Sequence, residues 1–224
     1  VNGTPVTVKY QAVVKEVTPT GTNITSTGEQ GRPQTGKPNF VSGTPGVPLD
    51  NDTPATFDDG SKRKVVPNVG IFEVAPDGSV TFTPDKQYVG TPDPVVVKRV
   101  DKNGTPVTAE YQVEVTRVTP TSTPATSTGL QGLPQKGSPS FTPGDPAVPM
   151  DDTVPMTFED GSATKSVPGV GDYSINPDGS ITFTPDKQYV GTPTPVTVKR
   201  VDKNGTEVTA TYTPTVTRVT PSST

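Results

Sequence analysis

An all-β fold, arranged as two tandem β-sandwich-like domains joined by a Thr/Ser/Pro linker, is what this sequence predicts, and three observations predict it. The chain repeats itself: the stretch from Ser79 to Pro92 returns at Ser180 to Pro193 with one change in fourteen positions, Val80 becoming Ile181. Phe40 and Phe141, Phe57 and Phe158, Gly104 and Gly205, and Pro120 and Pro221 are each 101 residues apart, so nothing has been inserted or deleted. A fixed self-similar period is the signature of a repeat array. The apolar set is a lean 28% of residues, dominated by Val, which is stiff at χ1 and suits a pleated surface. With 28 Pro and 22 Gly among 224 residues, the chain is rich in turns. A unit of roughly a hundred residues buries around two-thirds of the surface its unfolded chain exposes, so each repeat is long enough to fold without a staple. None is available, because the chain has no Cys.

The same composition excludes several classes of function. Without His or Cys, the usual catalytic triads and zinc sites are ruled out. A net charge of −4, with no Lys/Arg run longer than Lys62-Arg63-Lys64, lacks the basic footprint that neutralises phosphates, so nucleic acid is not an expected partner. No apolar run approaches the ~18 residues that span a bilayer, and no membrane partner is expected. With no charged-then-apolar leader and no C-terminal sorting signal, the sequence reads as the middle of a longer chain.

The elements follow in order. Asn2-Gly3-Thr4-Pro5-Val6-Thr7 repeats as Asn103-Gly104-Thr105-Pro106-Val107-Thr108, so residues 1–20 read as the orphaned last strand of a preceding repeat. Asn103-Gly104 sits between two alternating apolar runs, the strongest short-range hairpin signal. A domain border is not expected inside a hairpin, which places repeat 1 at residues 25–121 and repeat 2 at residues 126–222. Residues 18–28 and 119–129, built of Thr, Ser, Pro and Gly, read as semi-stiff extended spacers. Gln30-Gly31-Arg32-Pro33-Gln34 and Gln131-Gly132-Leu133-Pro134-Gln135 lead into irregular chain pinned by Phe40 and Phe141. Thr56-Phe57 and Thr157-Phe158 are short strands followed by turns, and Pro67 and Gly70 mark a turn or an edge.

The clearest hairpin has Phe72 and Val74 alternating on one arm and Val80 and Phe82 on the other. Pro76-Asp77-Gly78 forms its turn, with Pro and Gly placed for type I geometry. Val95, Val97, Val107, Tyr111, Val113 and Val115 complete one buried face of a sandwich. In the second copy Pro214 replaces Val113, which predicts an edge strand there.

Taken together, Pro177-Asp178-Gly179-Ser180-Ile181-Thr182-Phe183-Thr184-Pro185, Gly191-Thr192-Pro193, Val198-Lys199-Arg200-Val201-Asp202-Lys203-Asn204-Gly205 and Ala210-Thr211-Tyr212-Thr213-Pro214 resemble the CshA-type fibril repeat of streptococcal, Gram-positive, fibrillar surface adhesins. Gln131 to Gln135 and Phe158-Glu159-Asp160-Gly161-Ser162 share the resemblance, which covers essentially the whole chain. It implies an extracellular, cell-wall-anchored, monomeric stalk module with no enzyme activity and no cofactor. Its neighbours would be adjacent repeats of the same polypeptide, and host extracellular-matrix protein or other bacteria would be engaged through regions outside this chain. The alternative is that each repeat is itself a host-protein or glycan-binding module, gaining avidity from copy number.

The residues offer no catalytic, cofactor or metal site of their own. Asp58-Asp59 and Glu159-Asp160 are adjacent, and strand neighbours point to opposite faces, so they do not converge as a glycosidase pair must. Asp50-Asn51-Asp52 with Asp58-Asp59, and Asp151-Asp152 with Glu159-Asp160, carry oxygens of the kind calcium takes. Asp52 becomes Thr153, however, and the expected reading is solvated acidic loops. Lys98 and Lys199 are the only candidates for an intramolecular isopeptide bond, and lysines alternating with strand valines are expected to face solvent. The sequons at Asn2, Asn103 and Asn204 read as hairpin turns. Lys98-Arg99 and Lys199-Arg200 near Tyr88, Tyr111, Tyr189 and Tyr212 read as surface charge over core.

Overall fold

A computed structural model describes residues 2–220. By backbone proximity the described chain forms two compact units, the first of residues 2–27, 33–83 and 91–114, the second of residues 28–32, 84–90 and 115–220. Every regular element among the described residues is a strand.

The first ten strands are β1 (Thr20–Thr22), β2 (Ile24–Glu29), β3 (Gln34–Gly36), β4 (Asn39–Val41), β5 (Thr56–Phe57), β6 (Arg63–Val66), β7 (Gly70–Val74), β8 (Val80–Pro84), β9 (Val95–Val100) and β10 (Pro106–Thr116). They make two four-stranded sheets, β2-β10-β9-β5 and β3-β8-β7-β6, and a small β1-β4 ribbon. The second copy repeats this order with β11 (Thr121–Thr123), β12 (Ala125–Leu130), β13 (Gln135–Gly137), β14 (Ser140–Thr142), β15 (Thr157–Phe158), β16 (Thr164–Val167), β17 (Gly171–Ile175), β18 (Ile181–Pro185), β19 (Val196–Val201) and β20 (Glu207–Thr217). Its sheets are β12-β20-β19-β15 and β13-β18-β17-β16, with the ribbon β11-β14.

Period-2 alternation puts the valines and aromatics inside. Along β10 every second residue is buried, Val107, Ala109, Tyr111, Val113 and Val115, and Phe72, Val74, Val80, Phe82, Val95 and Val97 join them as expected. In the second unit Tyr173, Ile181 and Phe183 from one sheet pack with Phe158, Val196, Val198, Tyr212 and Val216 from the other. Across the β17–β18 register Tyr173 faces Phe183 with ring centroids 4.6 Å apart, and Phe72 and Phe82 stand 4.4 Å apart in the first unit. Such tilted aromatic pairs contribute about 0.5–1.5 kcal/mol beyond the area they bury.

Both hairpins form where the turn chemistry places them. Gly78 N–H donates to Ala75 O at 2.9 Å with Gly78 at φ 88°, and Gly104 N–H donates to Asp101 O at 2.9 Å with Gly104 at φ 81°. Glycine takes this left-handed backbone without steric cost.

Three expectations are corrected. Residues 18–28 and 119–129 are not spacers for most of their length: Thr20–Thr22 pairs with Asn39–Val41, Thr121–Thr123 pairs with Ser140–Thr142, and β12 runs parallel to β20 from Ala125↔Tyr212 to Leu130↔Thr217. Thr and Ser with an occasional Ile or Ala have β propensity without apolar alternation, because strands at a sheet edge need only half a face of contacts. The chain before Phe40 and Phe141 is likewise not wholly irregular, since it holds β3, β4, β13 and β14. Pro214 is not in an edge strand either, because β20 lies between β12 and β19. The antiparallel ladder ends at Val196↔Tyr212, so β20 has outrun β19 by the time it reaches Pro214. No β19–β20 hydrogen bond is lost to the missing N–H.

The two cores differ at one position with a measurable consequence. Tyr173 stands where the first repeat has Phe72. Its hydroxyl is buried without a hydrogen-bond partner among the described residues, and burial pushes its pKa up. A buried unsatisfied hydroxyl costs about 1–3 kcal/mol. Tyr173→Phe is expected to raise the second repeat's unfolding transition by roughly 4–8 °C, measured by calorimetry; a lower transition would show that the hydroxyl is satisfied.

Candidate functional site

The side chains that sequence reasoning singled out are placed by turns at the ends of strands, and each acid is drawn into the scaffold. Asp50 accepts from Thr53 Oγ1 at 2.6 Å and pairs with Lys102, whose Nζ also lies 2.7 Å from Asp52. Arg99 donates to Asn51 Oδ1 at 2.8 Å and to Asp50 O at 3.2 Å. The second copy reproduces this clamp: Lys203 pairs with Asp151 at 2.6 Å and Arg200 with Asp152 at 2.7 Å. The clamp ties the loop after β4, or after β14, to the β9–β10 or β19–β20 turn. The acidic loops therefore spend their oxygens on Lys and Arg. Among the described residues, no three Asp or Glu side chains gather in a way that could hold a metal ion.

Asp58 and Asp59 both face Lys64, at 2.5 and 3.6 Å, and Asp59 Oδ1 accepts from Ser61 N–H at 2.9 Å. Asp160 holds Ser162 N–H in the same way at 2.9 Å. These are turn-forming carboxylates. Lys98 and Lys199 directly follow the inward Val97 and Val198 of β9 and β19 and are only partly buried; Lys199 Nζ is 3.4 Å from Glu207. Tyr111 and Tyr212 are fully buried and so belong to the core beneath the charged face. Of the sequons, Asn103 is exposed, whereas Asn204 is 7% exposed and its side-chain amide donates to Gln30 O at 3.0 Å.

A polar relay at the heart of each repeat was not anticipated. Ser26 Oγ donates to Gln34 Oε1 at 2.6 Å and lies 2.7 Å from Tyr111 Oη. The serine has one proton, so the tyrosine must donate to it. Gln34 Nε2 then donates to Glu114 O at 2.9 Å. Ser127, Gln135 and Tyr212 repeat the chain at 2.7 and 2.7 Å, ending on Thr215 O at 3.0 Å. A Cβ at Gly36 or Gly137 would run into the ring of Tyr111 or Tyr212, so the glycines let β3 and β13 close over the tyrosines. The available signal was that Ser26, Gln34, Gly36 and Tyr111 all recur 101 residues on.

Two surface clefts at equivalent places share Pro76/Pro177, Asp77/Asp178 and Arg99/Arg200 but differ in the rest of their lining. One is lined by Lys37, Phe40, Asn51, Pro76 and Arg99. Its counterpart presents Asp152, Val154, Met156, Pro177 and Arg200.

Side chains that hold turns and core together, in two β-sandwiches of one pattern, define a repetitive structural module. Comparison with known proteins gives the family. The model of the surface adhesin CshA repetitive domain matches residues 16–115 and again residues 117–216, and the chain belongs to this family. It is 71% identical to repeat domain 13 of the fibrillar adhesin CshA from Streptococcus gordonii, over 31% of this chain and 90% of that one, with a TM-score of 0.19. It is also similar to Drosophila N-cadherin EC1-3, at 15% identity over 90% of this chain and 68% of that one with a TM-score of 0.32. The I9-I11 tandem of titin is 12% identical over 89% of this chain and 65% of that one, also with a TM-score of 0.32. No curated protein matches.

Two outcomes are expected. Tyr212→Phe removes the donor to Ser127 and should lower the second repeat's stability by about 1 kcal/mol in denaturant titration, the opposite sign to Tyr173→Phe. Acid should act through the clamp. The Lys102 ammonium beside Asp50, helped by the Thr53 hydroxyl, lowers that carboxyl from 3.8 to about 2; Lys203 and Thr153 lower Asp151 to about 2 likewise. A depressed folded-state pKa stabilises above the unfolded value, and that contribution is lost as pH falls through the folded one. Thermal stability should therefore fall between pH 3.8 and about 2, and the fall should be shallower in the double variant Asp50→Asn/Asp151→Asn.

Proposed function

We propose that this chain is a pair of non-enzymatic stalk modules from a fibrillar adhesin anchored to a Gram-positive cell wall, projecting a distal ligand-binding region away from it. One observation carries the reading: the polar relay, the turn-holding contacts and the aromatic core recur in both copies, while the exposed face of β6 and β7 does not. The Tyr-Ser-Gln relay, the Asp–Lys clamp and the aromatic core recur residue for residue, save Phe72 and Tyr173 in the core and Asn51-Asp52, which become Asp152-Thr153, beside the clamp. On that face Lys62, Arg63 and Val65 become Ala163, Thr164 and Ser166, and Glu73 becomes Ser174. A ligand held on the face of β6 and β7 would require matched side chains there, and the two clefts differ in part of their lining.

Residues 2–17 repeat the sequence of β10 and its exit, yet Val6, Val8 and Tyr10, the counterparts of buried Val107, Ala109 and Tyr111, are 90%, 89% and 91% exposed. That mismatch supports reading them as the last strand of another repeat, with the two modules following at residues 25–121 and 126–222.

The test is direct binding. Immobilised pure chain, challenged with extracellular-matrix proteins and a glycan panel, is expected to give no saturable response. Saturable binding removed by a substitution at an exposed residue common to both copies would establish the repeats themselves as the adhesive modules.

A further inference from the structure

Within the second unit, the turn Asn204-Gly205 lies against the loops of residues 28–32 and 84–90. Asn204 Nδ2 donates to the carbonyl oxygen of Gln30 at 3.0 Å, and Gln87 Nε2 donates to the carbonyl oxygen of Asn204. Gln30 is 1% exposed and braced from within its own repeat: its Nε2 donates to Lys86 O at 2.9 Å and its Oε1 accepts from Val118 N–H at 3.3 Å. A Cβ on Gly31, at φ 78°, would meet Asn204 Oδ1, so glycine is what lets the two backbones approach. Asp202 shapes the turn, its Oδ1 accepting from the N–H groups of Asn204 and Thr206 at 2.9 and 2.8 Å.

Each half of this contact exists twice. The Gln-Gly half recurs at Gln131-Gly132, where Gln131 Nε2 donates to Lys187 O at 3.1 Å and Oε1 accepts from Val219 N–H at 3.4 Å. The Asn-Gly half recurs at Asn103-Gly104, shaped by Asp101 Oδ1 on the N–H groups of Asn103 and Thr105 at 2.9 and 2.8 Å. The local scaffolds are the same, but these second copies are open: a Cβ at Gly132 or at Gly104 would meet nothing within 4 Å. Gln188, the counterpart of Gln87, is exposed, as is Asn103.

We infer that Gln131-Gly132 with Gln188, and Asn103-Gly104, are the two halves of an end-to-end docking surface whose partner is a further repeat of this kind. The halves are different patches, so the contact is heterologous. It does not close on itself, and each repeat added leaves one open half at either end. A buried glutamine whose carbonyl and side chain are all engaged selects for an Asn-Gly turn, since a side chain unable to donate would leave a buried acceptor unpaired. The inference deepens the stalk reading by naming what neighbouring repeats recognise in one another, and its test is independent of ligand binding.

The test follows the amide signals of the full ¹⁵N-labelled chain as its concentration is raised. Between separate molecules the contact lacks the about millimolar effective concentration that a short tether supplies. Shifts at Gln131, Gly132, Gln188, Asn103 and Gly104 are expected to grow towards millimolar protein and to reverse on dilution. Asn103→Asp and Gly132→Ala should each abolish them. Within one molecule, Gly31→Ala and Asn204→Asp should move the signals of Gln30 and Gly205, while Gly132→Ala, the same substitution at the open copy, should leave those two in place. Concentration-independent spectra, or shifts that survive both Asn103→Asp and Gly132→Ala, would overturn the inference. The stalk reading would be untouched, since it stands or falls with the binding assay.

Discussion

An unpaired tyrosine hydroxyl at the centre of an apolar sandwich costs stability, and how Tyr111 and Tyr212 find partners for theirs organises each repeat. The ring fills the core from the long central strand. The hydroxyl reaches Ser26 or Ser127 on the parallel neighbour, which passes the hydrogen bond to Gln34 or Gln135 on the facing sheet. The glutamine amide then returns to the backbone of the tyrosine's own strand. Two sheets are thereby held in register by a closed polar circuit in which each group is satisfied, the condition under which a buried network specifies a structure instead of weakening it. The approach needs glycine at Gly36 and Gly137, where any side chain would enter the ring's space.

Around that centre the loops are shaped by one device used many times. An Asp side chain accepts the backbone N–H two residues on: Asp59 from Ser61, Asp77 from Ser79, Asp160 from Ser162, Asp178 from Ser180, Asp101 from Asn103 and Asp202 from Asn204. In a protein with so lean an apolar set, ordered turns carry part of the work that a larger core would otherwise do. Residues committed to turns in this way are also withdrawn from chemistry. The carboxylates weighed for catalysis or calcium binding are occupied by backbone amides, lysines and arginines.

Much of this was legible in the sequence. The 101-residue period, the inward valines and aromatics of β7 to β10, and both glycine turns can be read from alternation and from the sterics of Pro and Gly, which act over a few residues. The strands of residues 20–29 and 121–130 were not legible. Their Thr- and Ser-rich sequence has no apolar alternation, and what makes them strands is β4 and β10, or β14 and β20, lying alongside. Pro214 misled for a similar reason: a missing N–H matters only where a partner strand waits for it, and the length of that partner is not a local property.

The sequence by itself determined the repeat unit, its all-β character, the inward face of each long strand and the absence of thiol or imidazole chemistry, because composition and period-2 patterning settle these without knowing what meets what. Only the tertiary structure decided that Ser26, Gln34 and Tyr111 form one circuit, that Asp50 belongs to Lys102, and that Gln30 and Asn204 meet, 174 residues apart. Hydrogen-bond partners distant in the chain are chosen by how the backbones fold past one another. A Gln or an Asn in sequence carries the capacity to donate and accept, and nothing about which partner it will find.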